Sequence, residues 1–512
     1  MTRDTCATAP AAARNPFVKP TSSQPTSTSA RFDAIDAYVE QQMGRLRLPG
    51  VSLAIVEGDQ IVHTRGFGQA RPGGETPTPQ TPFFIGSLTK SFTALAVMQL
   101  VEAGQIDLDT PIQRYLPWFR VADPQASAQM TVRHLLNHTS SLPTSVGELV
   151  LADSDDSPGA AERQARSLSS LALARPVGSA FEYSNSNYQL LGLIVEAASG
   201  ESYADYVQRH IFDPLGMTHT YTSPALAKQN GLAVGHQFWF GLPVAAPDVP
   251  LPHGALAAGL LISTAEDLAR YLIAQLNGGR CGDAQLLSAE GIAEMHRAAV
   301  ACGTGGRSPF ERLLVKGIDL GQYGMGWSVD HIGHTQVVWH NGTLPDFGGY
   351  FALLPEQKKG IVLLYNANTH WYMPVLTEFG TGATALLAGE EPGSPAFTRM
   401  LPWMLRAQLL IPAFQIADVA ATLRLSSRRG AGPQRRPSTG KAWRLHFVFP
   451  FILNLLIALT LKPLLSKRRG YLKLYMPDFS MIAAVGGVFS LVWSFVRAVL
   501  VISALRNRGR LP

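Results

Sequence analysis

The segment Phe83-Phe84-Ile85-Gly86-Ser87-Leu88-Thr89-Lys90 places a hydroxyl and an amine at the start of a predicted helix, about Ser87 to Ala103. Lys90 follows Ser87 by three residues, so both side chains lie on the same helical face. A buried amine has a lowered pKa and can take the proton of a neighbouring hydroxyl. The free N–H groups at the helix N-terminus can stabilise a developing oxyanion. Taken alone, Ser87 is equally compatible with an ordinary N-cap.

A second motif, Tyr183-Ser184-Asn185, precedes a predicted helix over Tyr188–Ser199. A tyrosine beside a lysine can act as a general base, because the neighbouring cation favours its phenolate. Asn185 offers both a donor and an acceptor to a substrate amide. Alone, the motif is also compatible with an aromatic loop residue next to an asparagine cap.

A third motif, His340-Asn341-Gly342, ends the predicted strand Gln336–His340. A donor side chain at a strand end can bind a carboxylate or a carbonyl group. Gly342 would allow a substrate backbone to approach closely, as an added strand does. A lone histidine in a strand is otherwise structural or solvated.

The rest of the pattern predicts an α+β body with an antiparallel sheet. Val51–Glu57 and Gln60–Gly66 form a predicted hairpin around Gly58-Asp59. Further strands are predicted near the other end of the body, at Gly326–Asp330, Gln336–His340, Gly348–Leu354 and Gly360–Tyr365. Residues 107–255 are mostly helical by pattern. The sheet is therefore expected to be built from both ends of the body, flanked by helices and with a helical region inserted.

Charge is divided unevenly along the 512 residues, whose formal net charge is +6. Residues 401–512 hold 17 Lys and Arg against 2 Asp and Glu, whereas residues 1–400 hold 26 against 35. A nucleic-acid-binding protein would carry its basic surface on the folded body, so we expect no nucleic-acid partner. Basic residues between apolar segments indicate a lipid bilayer as partner instead.

The chain offers few candidates for a metal or a disulfide. His134 and His138 lack an accompanying carboxylate or cysteine, and we interpret them as loop-packing residues rather than zinc ligands. We therefore predict no metal site. Cys281 and Cys302 could pair if the body is exported, although sequence spacing cannot show that they are close.

The composition predicts three regions. Residues 1–30 form a disordered arm with no apolar run of signal-peptide length, residues 31–390 form the body, and residues 391–512 form a membrane region. The membrane region has two or three predicted spans, at about 401–423, 443–461 and 480–505. The first is the weakest, because Arg406 and Asp418 interrupt it, and it could instead be an amphipathic surface helix.

The number of spans decides the predicted side of the body. Seven Lys and Arg lie in 424–444, five in 462–479 and three in 506–512. With three spans, the first loop and the chain end share the cytoplasmic side, and the body faces outside. With two spans, the body would face the cytoplasm.

In combination and in this order, the three motifs resemble those of the serine penicillin-recognising family, in its class C β-lactamase-like branch. The resemblance covers about residues 31–390. It extends to the segments 131–140, 183–200, 211–217 and 323–327. Ser141 departs from the glycine usual at that position. The resemblance implies a β-lactamase/transpeptidase-like fold.

The resemblance also implies roles for individual residues. Ser87 would be the nucleophile that forms an acyl-enzyme, with Lys90 and Tyr183 sharing proton transfer. Asn185 and His340 would contact the substrate. Gly342 would lie beside it, and the N–H groups of Ser87 and Thr343 would form the oxyanion hole. No cofactor enters this mechanism.

The function expected from these features is a membrane-anchored serine hydrolase acting on a small-molecule or peptide substrate. The leading expectation is a peptidase or amidase that cleaves next to a D-amino acid, in a cell-wall peptide or a natural-product precursor. A carboxylesterase would use the same acyl-enzyme chemistry. A penicillin sensor or envelope binding protein that does not hydrolyse its ligand is the alternative outside the enzymes.

Overall fold

The computed structural model describes residues 18–19, 28–153, 155–246, 248–250, 252–303, 321–427 and 448–506. Its main sheet is antiparallel and eight-stranded. In spatial order the strands are Val300–Ala301, Gln322–Tyr323, Ser328–Ile332, Thr335–Thr343, Gly348–Leu354, Lys359–Tyr365, Gly50–Glu57 and Gln60–Gly68. The strand Gly50–Glu57 pairs with Lys359–Tyr365, so both ends of the body build one sheet, and the predicted fold class is confirmed.

Helices cover both faces of this sheet. Leu53 and Ile55 pack in one core with the helices Thr28–Leu46 and Met373–Ala388. Ala54 and Val56 face the other core, with the helices Thr89–Glu102 and Ala265–Leu276. The central strands are buried on both sides and therefore form nearly continuous apolar runs.

The helical region between the sheet segments is the predicted insertion. Its helices are Pro124–Gln129, Val132–Leu136, Thr144–Val150, Ala160–Arg166, Asn185–Ser199, Tyr203–Val207, Asp213–Leu215, Pro224–Gln229 and Leu256–Gly259, with a π-helical turn over Gln208–Phe212. Ala289–His296 follows. Short strands complete the body at Phe83–Phe84 with Ile262–Ser263, at Arg280–Cys281 with Ala284–Gln285, and at His236–Trp239 with Leu242–Ala245 and Ala367–Asn368.

The structure bears on two further expectations, the disordered N-terminal arm and a disulfide between Cys281 and Cys302. Most of the predicted disordered arm, residues 1–17 and 20–27, lies outside the described residues, but Val18–Lys19 pairs with Glu391–Pro392 and the first helix begins at Thr28. The structure shows no disulfide between Cys281 and Cys302.

The C-terminal region holds two helical stretches long and apolar enough to cross a membrane, 396–424 and 477–500. The first comprises Ala396–Ala407 and Leu410–Ser427, and the second lies in Pro477–Arg506. A third span is possible if Phe449–Leu464 and Arg469–Tyr475, which bend by 103° at their junction, count as one. The predicted segment 443–461 is described only from residue 448.

Asp418, which interrupts the first apolar tail segment, pairs with Arg497, the charge inside the last one. Asp418 and Arg497 are both buried, and Arg497 Nε donates to Asp418 Oδ1 at 2.8 Å. Asn454 Nδ2 and Trp493 Nε1 each donate to the other carboxylate oxygen at 3.0 Å. The pair therefore joins the first and last tail helices, and large apolar side chains such as Ile416 and Phe495 lie outward, 71% and 77% exposed.

The segment between the second and third tail helices, residues 465–476, packs on the body and is called the inter-span segment below. Tyr471, Leu472 and Tyr475 are buried in the same core as the helix Thr89–Glu102. Arg468 forms an ion pair with Glu148 at 2.6 Å. The body and the tail therefore share one continuous core.

Breaking the Asp418–Arg497 pair on one side should destabilise the tail. We expect Asp418→Leu to lower the free energy of unfolding by about 3–5 kcal/mol, because it leaves a buried guanidinium without a carboxylate. The double variant Asp418→Leu/Arg497→Leu should recover most of that loss. Thermal unfolding in detergent measures both; equal stability of the single variant and the wild type would contradict the pairing.

Candidate active site

Two glycines allow a strand of the main sheet to lie directly against the start of the Ser87 turn. Gly86 has φ +57°, and a Cβ there would lie 2.5 Å from the Thr343 backbone nitrogen. A Cβ on Gly342 would lie 1.9 Å from the Ile85 carbonyl oxygen. Only glycine fits either position. The third motif is thereby held beside the first, across about 250 residues of chain.

Ser87 lies in a 3₁₀ turn, Gly86–Leu88, that leads into the helix Thr89–Glu102. The predicted helix start is therefore a tighter turn, and the α-helix begins two residues later than predicted. Ser87 is partly exposed, whereas Lys90 is completely buried. The hydroxyl is thus open to a substrate while the amine is held away from water.

The Lys90 amine has three oxygen neighbours. Its Nζ lies 2.9 Å from Ser87 Oγ, 2.8 Å from Asn185 Oδ1 and 2.6 Å from the Ala258 carbonyl oxygen. Burial without a charged partner lowers the pKa of Lys90 well below its ordinary value. Burial therefore favours the neutral form of the amine.

A neutral amine has two N–H donors and one lone pair. The amide oxygen of Asn185 and the carbonyl of Ala258 can only accept, so the two donors are committed to them. In this neutral form the lone pair is the site left for Ser87, whose hydroxyl can then donate to it. This arrangement leaves the Lys90 amine ready to take the Ser87 proton.

Tyr183 completes the group, since its hydroxyl lies 2.9 Å from Ser87 Oγ. Burial raises the pKa of Tyr183, so the phenol keeps its proton and donates to Ser87. The sequence reasoning expected a phenolate favoured by a lysine cation. The structure differs because burial disfavours both charges and so favours an uncharged amine and an uncharged phenol.

Asn185 has both ends of its amide engaged within the protein. Its Oδ1 accepts from Lys90, and its Nδ2 donates to the Gly147 carbonyl at 3.3 Å. The structure therefore places Asn185 as an orienting partner of Lys90. Contact between Asn185 and a substrate stays a prediction.

His340 is buried beneath the site rather than presented to it. Its Nδ1 lies 2.7 Å from the Asn341 carbonyl oxygen and must donate to it, so the neutral ring accepts from Tyr323 through Nε2 at 3.2 Å. Burial lowers the pKa of His340 to about 3. A substrate contact by His340 stays a prediction, but any such contact would involve an uncharged ring.

His138, interpreted from the sequence as a loop-packing residue, packs against the loop that carries Tyr183, and its link to that residue was not predicted. Its Nδ1 accepts from the Ser184 backbone N–H at 3.2 Å and from Asn187 Nδ2 at 2.8 Å. Its ring lies under Tyr183, with 4.4 Å between centroids. His138 therefore fixes the loop that carries the phenol. His134 is remote from this role and closes a capping box with Thr131.

The Thr343 backbone lies close to the Ser87 turn, and an oxyanion role for the N–H groups of Ser87 and Thr343 stays a prediction. The Thr343 backbone nitrogen lies beside Gly86. Gly259 lies close to the Ser87 backbone, since a Cβ added to Gly259 would be 3.9 Å from the Ser87 nitrogen. Ser87, Lys90, Tyr183, Asn185, Gly342 and Thr343 are thus brought into one site. Among the described residues, no group of three His, Cys, Asp or Glu is placed to hold a metal ion.

Comparison with known proteins gives a family. The Beta-lactamase family model matches residues 35–379. Protein flp of Staphylococcus aureus (strain COL) is 27% identical over 350 residues, covering 67% of this chain and 64% of the relative. Unguisins hydrolase ungD' of Aspergillus campestris is 29% identical over 341 residues, covering 65% and 60%. The chain therefore spans less than two thirds of the length of these relatives.

Two solved structures share the fold. The octameric penicillin-binding protein homologue from Pyrococcus abyssi is 29% identical with a TM-score of 0.59, over 71% of this chain and 79% of that one. The D-amino acid amidase from Ochrobactrum anthropi SV3, complexed with L-phenylalanine amide, is 24% identical with a TM-score of 0.58, over 70% and 99%.

Proposed function

The chain belongs to the beta-lactamase family of hydrolases, and from its site we propose that it is a membrane-anchored serine peptidase or amidase that cleaves next to a D-amino acid. The observation that supports this most is the buried Lys90 amine with its lowered pKa, 2.9 Å from a Ser87 hydroxyl that also contacts Tyr183. Ser87 is the proposed nucleophile.

Acylation follows from the hydrogen-bond directions. The Ser87 oxygen attacks the substrate carbonyl carbon while its proton passes to the Lys90 lone pair. The N–H groups of Ser87 and Thr343 receive the negative charge on the substrate oxygen. Tyr183 gives its proton to the leaving nitrogen, takes the proton held by Lys90, and the carbon–nitrogen bond breaks.

Deacylation reverses these transfers with water in place of the leaving amine. Water attacks the ester carbon of the acyl-enzyme and its proton passes to the Lys90 amine through Tyr183. The carbon–oxygen bond to Ser87 then breaks, and the Ser87 oxygen regains a proton. The released acid carries the oxygen of the water.

The electrostatics of the site favour a substrate without a carboxylate at the reacting end. Burial lowers the pKa of all three basic side chains around the site, Lys90, His138 and His340. A carboxylate, as in penicillins or peptides with a free C-terminus, would meet no charged partner among them. The names of two similar proteins, an unguisins hydrolase and a D-amino acid amidase, are consistent with amide cleavage.

The position of the inter-span segment supports a three-span topology, because it limits how many times the chain can cross the membrane before reaching it. It packs on the body, so an even number of membrane crossings must separate the two. If the first tail helix crosses, the helix Phe449–Leu464 must cross back by itself, because Arg469–Tyr475 packs on the body and is not part of that span. The helix Pro477–Arg506 then crosses a third time, which puts the chain end opposite the body.

Basic residues then give the orientation. The segment 424–444 and the chain end, with seven and three Lys and Arg, lie on one side in this topology, and 462–479 with five lies on the other. The side richer in Lys and Arg is cytoplasmic. We propose that the catalytic body faces outside the cytoplasm.

Ser87→Ala should abolish covalent labelling by a fluorophosphonate and lower hydrolysis at least about 10³-fold, because the nucleophile is lost. The matched control Ser91→Ala removes a hydroxyl on the same helix that is bonded to the Leu88 carbonyl, and it should keep the label. Intact mass measures the adduct.

A substrate panel then separates the reaction classes. D-Amino-acid p-nitroanilides, their L-isomers, p-nitrophenyl butyrate and nitrocefin are compared, and we expect cleavage of the D-amides above the L-amides. Rapid ester cleavage with no amide cleavage would make the protein a carboxylesterase. A stable acyl-enzyme with no turnover on any substrate would make it a sensor.

Reporter fusions test the topology. Fusions ending after residues 440, 466 and 512 should report cytoplasmic, extracytoplasmic and cytoplasmic positions in turn, because each apolar segment crosses once. Alkaline phosphatase is active only outside the cytoplasm and green fluorescent protein fluoresces only inside it. The two reporters at one position therefore control for expression. The same side for the first two fusions, or phosphatase activity at the chain end, would contradict three crossings.

A further inference from the structure

The hairpin of His236–Trp239 and Leu242–Ala245, called the edge hairpin below, has an apolar end that faces out of the body. Residues 238–245 read Phe-Trp-Phe-Gly-Leu-Pro-Val-Ala, with no charged, amide or hydroxyl side chain. The strand Leu242–Ala245 is the outer strand of its three-stranded sheet. An exposed apolar edge strand is a site of aggregation unless something covers it. The edge hairpin is therefore expected to contact a partner outside the body.

The pairing register divides the edge hairpin into an inner and an outer face. Phe238 is on the inner face and is buried in the body core. On the outer face, Leu242 pairs with Trp239 and Val244 pairs with Gln237. Leu242 and Val244 are 55% and 46% exposed. The partner is therefore expected on the outer face.

The membrane region lies along this outer face. Gln237 Nε2 donates to the Leu474 carbonyl of the inter-span segment at 2.8 Å. In the turn of the hairpin, the Phe240 N–H donates to Asp478 Oδ2 at 3.2 Å. Asp478 is the second residue of the last tail helix, Pro477–Arg506. The turn of the edge hairpin is thus fixed at the residue where the last tail helix begins.

The first tail helix enters its long apolar part at the same place. Gln408, which precedes the helix Leu410–Ser427, donates through Nε2 to Asp478 Oδ2 at 3.4 Å. A Cβ on Gly241 in the hairpin turn would lie 3.0 Å from Leu405 Cδ1. The two apolar tail helices therefore start side by side at the edge hairpin.

The chain just before Gln408 has the composition of a segment at a membrane surface. Trp403 is 71% exposed, and the Arg406 guanidinium carbon lies 5.8 Å from its ring centroid. Leu401 and Leu405, on the other side of the helix, are buried in the body core. Tryptophan and arginine together are typical of the headgroup level of a bilayer. This helix therefore marks the same level as the hairpin turn.

We propose that the outer face of the edge hairpin, with Leu242 and Val244, lies in the lipid bilayer beside the first and last tail helices. The body then contacts the membrane directly and is not held to it by the tail helices alone. This inference rests on the membrane anchoring proposed above and is independent of the hydrolase activity.

The backbone of the outer strand limits how deep this contact goes. An edge strand has N–H and C=O groups that pair with water, and the hydrocarbon centre of a bilayer has no water for them. The side chains of Leu242 and Val244 therefore lie among the headgroups and the upper acyl chains.

Fluorescence in vesicles tests the contact and its depth. The full-length protein, with its three cysteines changed to serine, receives Leu242→Cys, is labelled with the dye NBD and is reconstituted into phosphatidylcholine–phosphatidylglycerol vesicles. Phospholipids with a nitroxide near the headgroup should quench this dye at least about twofold more than those with a nitroxide at the chain end, because interfacial segments lie about 5–10 Å deep. Val244→Cys should give the same result and replaces Leu242→Cys if that variant does not fold.

Val62→Cys is the matched control, since Val62 is also an apolar side chain on an edge strand of the body and is 38% exposed. The edge hairpin adjoins the start of the strand Gly50–Glu57, because His236 Nδ1 donates to the Asn366 carbonyl and Asn366 N donates to the Gly50 carbonyl. Val62 lies near the other end of that strand, about 20 Å away. Its label should not be quenched by either lipid. Equal quenching at positions 62 and 242 would assign the effect to the dye and overturn the proposal.

Val485→Cys distinguishes a failure of this inference from a failure of the membrane anchor. Val485 is 68% exposed in the last tail helix, about 10 Å along it from Asp478, so the chain-end nitroxide should quench its label most. Quenching at position 485 without quenching at 242 or 244 would reject the hairpin contact and keep the anchor. No quenching at any position would reject both. Disulfide-linked dimers of unlabelled Leu242→Cys, without lipid quenching of the labelled form, would assign the face to a second copy of the chain and also overturn the proposal.

Discussion

The hydrogen bond between the Ser87 hydroxyl and the lone pair of the Lys90 amine is the interaction on which the proposed chemistry depends. It exists only while the amine is neutral, and burial provides that condition. Asn185 and the Ala258 carbonyl accept the two N–H groups, so the lone pair has one direction left. The phenol of Tyr183 donates a hydrogen bond to the same serine oxygen. A charged lysine in this place would donate to Ser87 and block the transfer.

The fold serves this interaction by bringing distant segments together. The absence of side chains at Gly86 and Gly342 lets a sheet strand and the nucleophile turn touch, and His138 holds the tyrosine loop from below. The membrane region takes part too, since the inter-span segment is packed into the core of the body. The proposed active site and the proposed membrane anchor are thus parts of one folded unit.

Strands and motif residues, which depend on local residue spacing, could be predicted from the sequence. It predicted the strand Gly348–Leu354 to the residue, and the structure brings the predicted residues of the three motifs into one site. It did not predict contacts made by backbone or by distant partners, such as the Ala258 carbonyl on Lys90 or the Asn187 amide on His138, because spacing carries no signal for them. Asp418 weakened the first predicted span, yet it pairs with Arg497, 79 positions away. Ser141, unusual where glycine is common, adopts φ +64°, a conformation that glycine tolerates best.

The most direct test of this account is the rate of Ser87 labelling by a fluorophosphonate as a function of pH, with circular dichroism confirming the fold at each point. Protonation of Lys90 removes the base, so the rate should fall as pH falls through its lowered pKa and reach its plateau well below pH 10.5. Tyr183, with its raised pKa, should add no inflection below pH 10. A rate that keeps rising about tenfold per pH unit up to pH 10 would show a charged Lys90 and contradict the account.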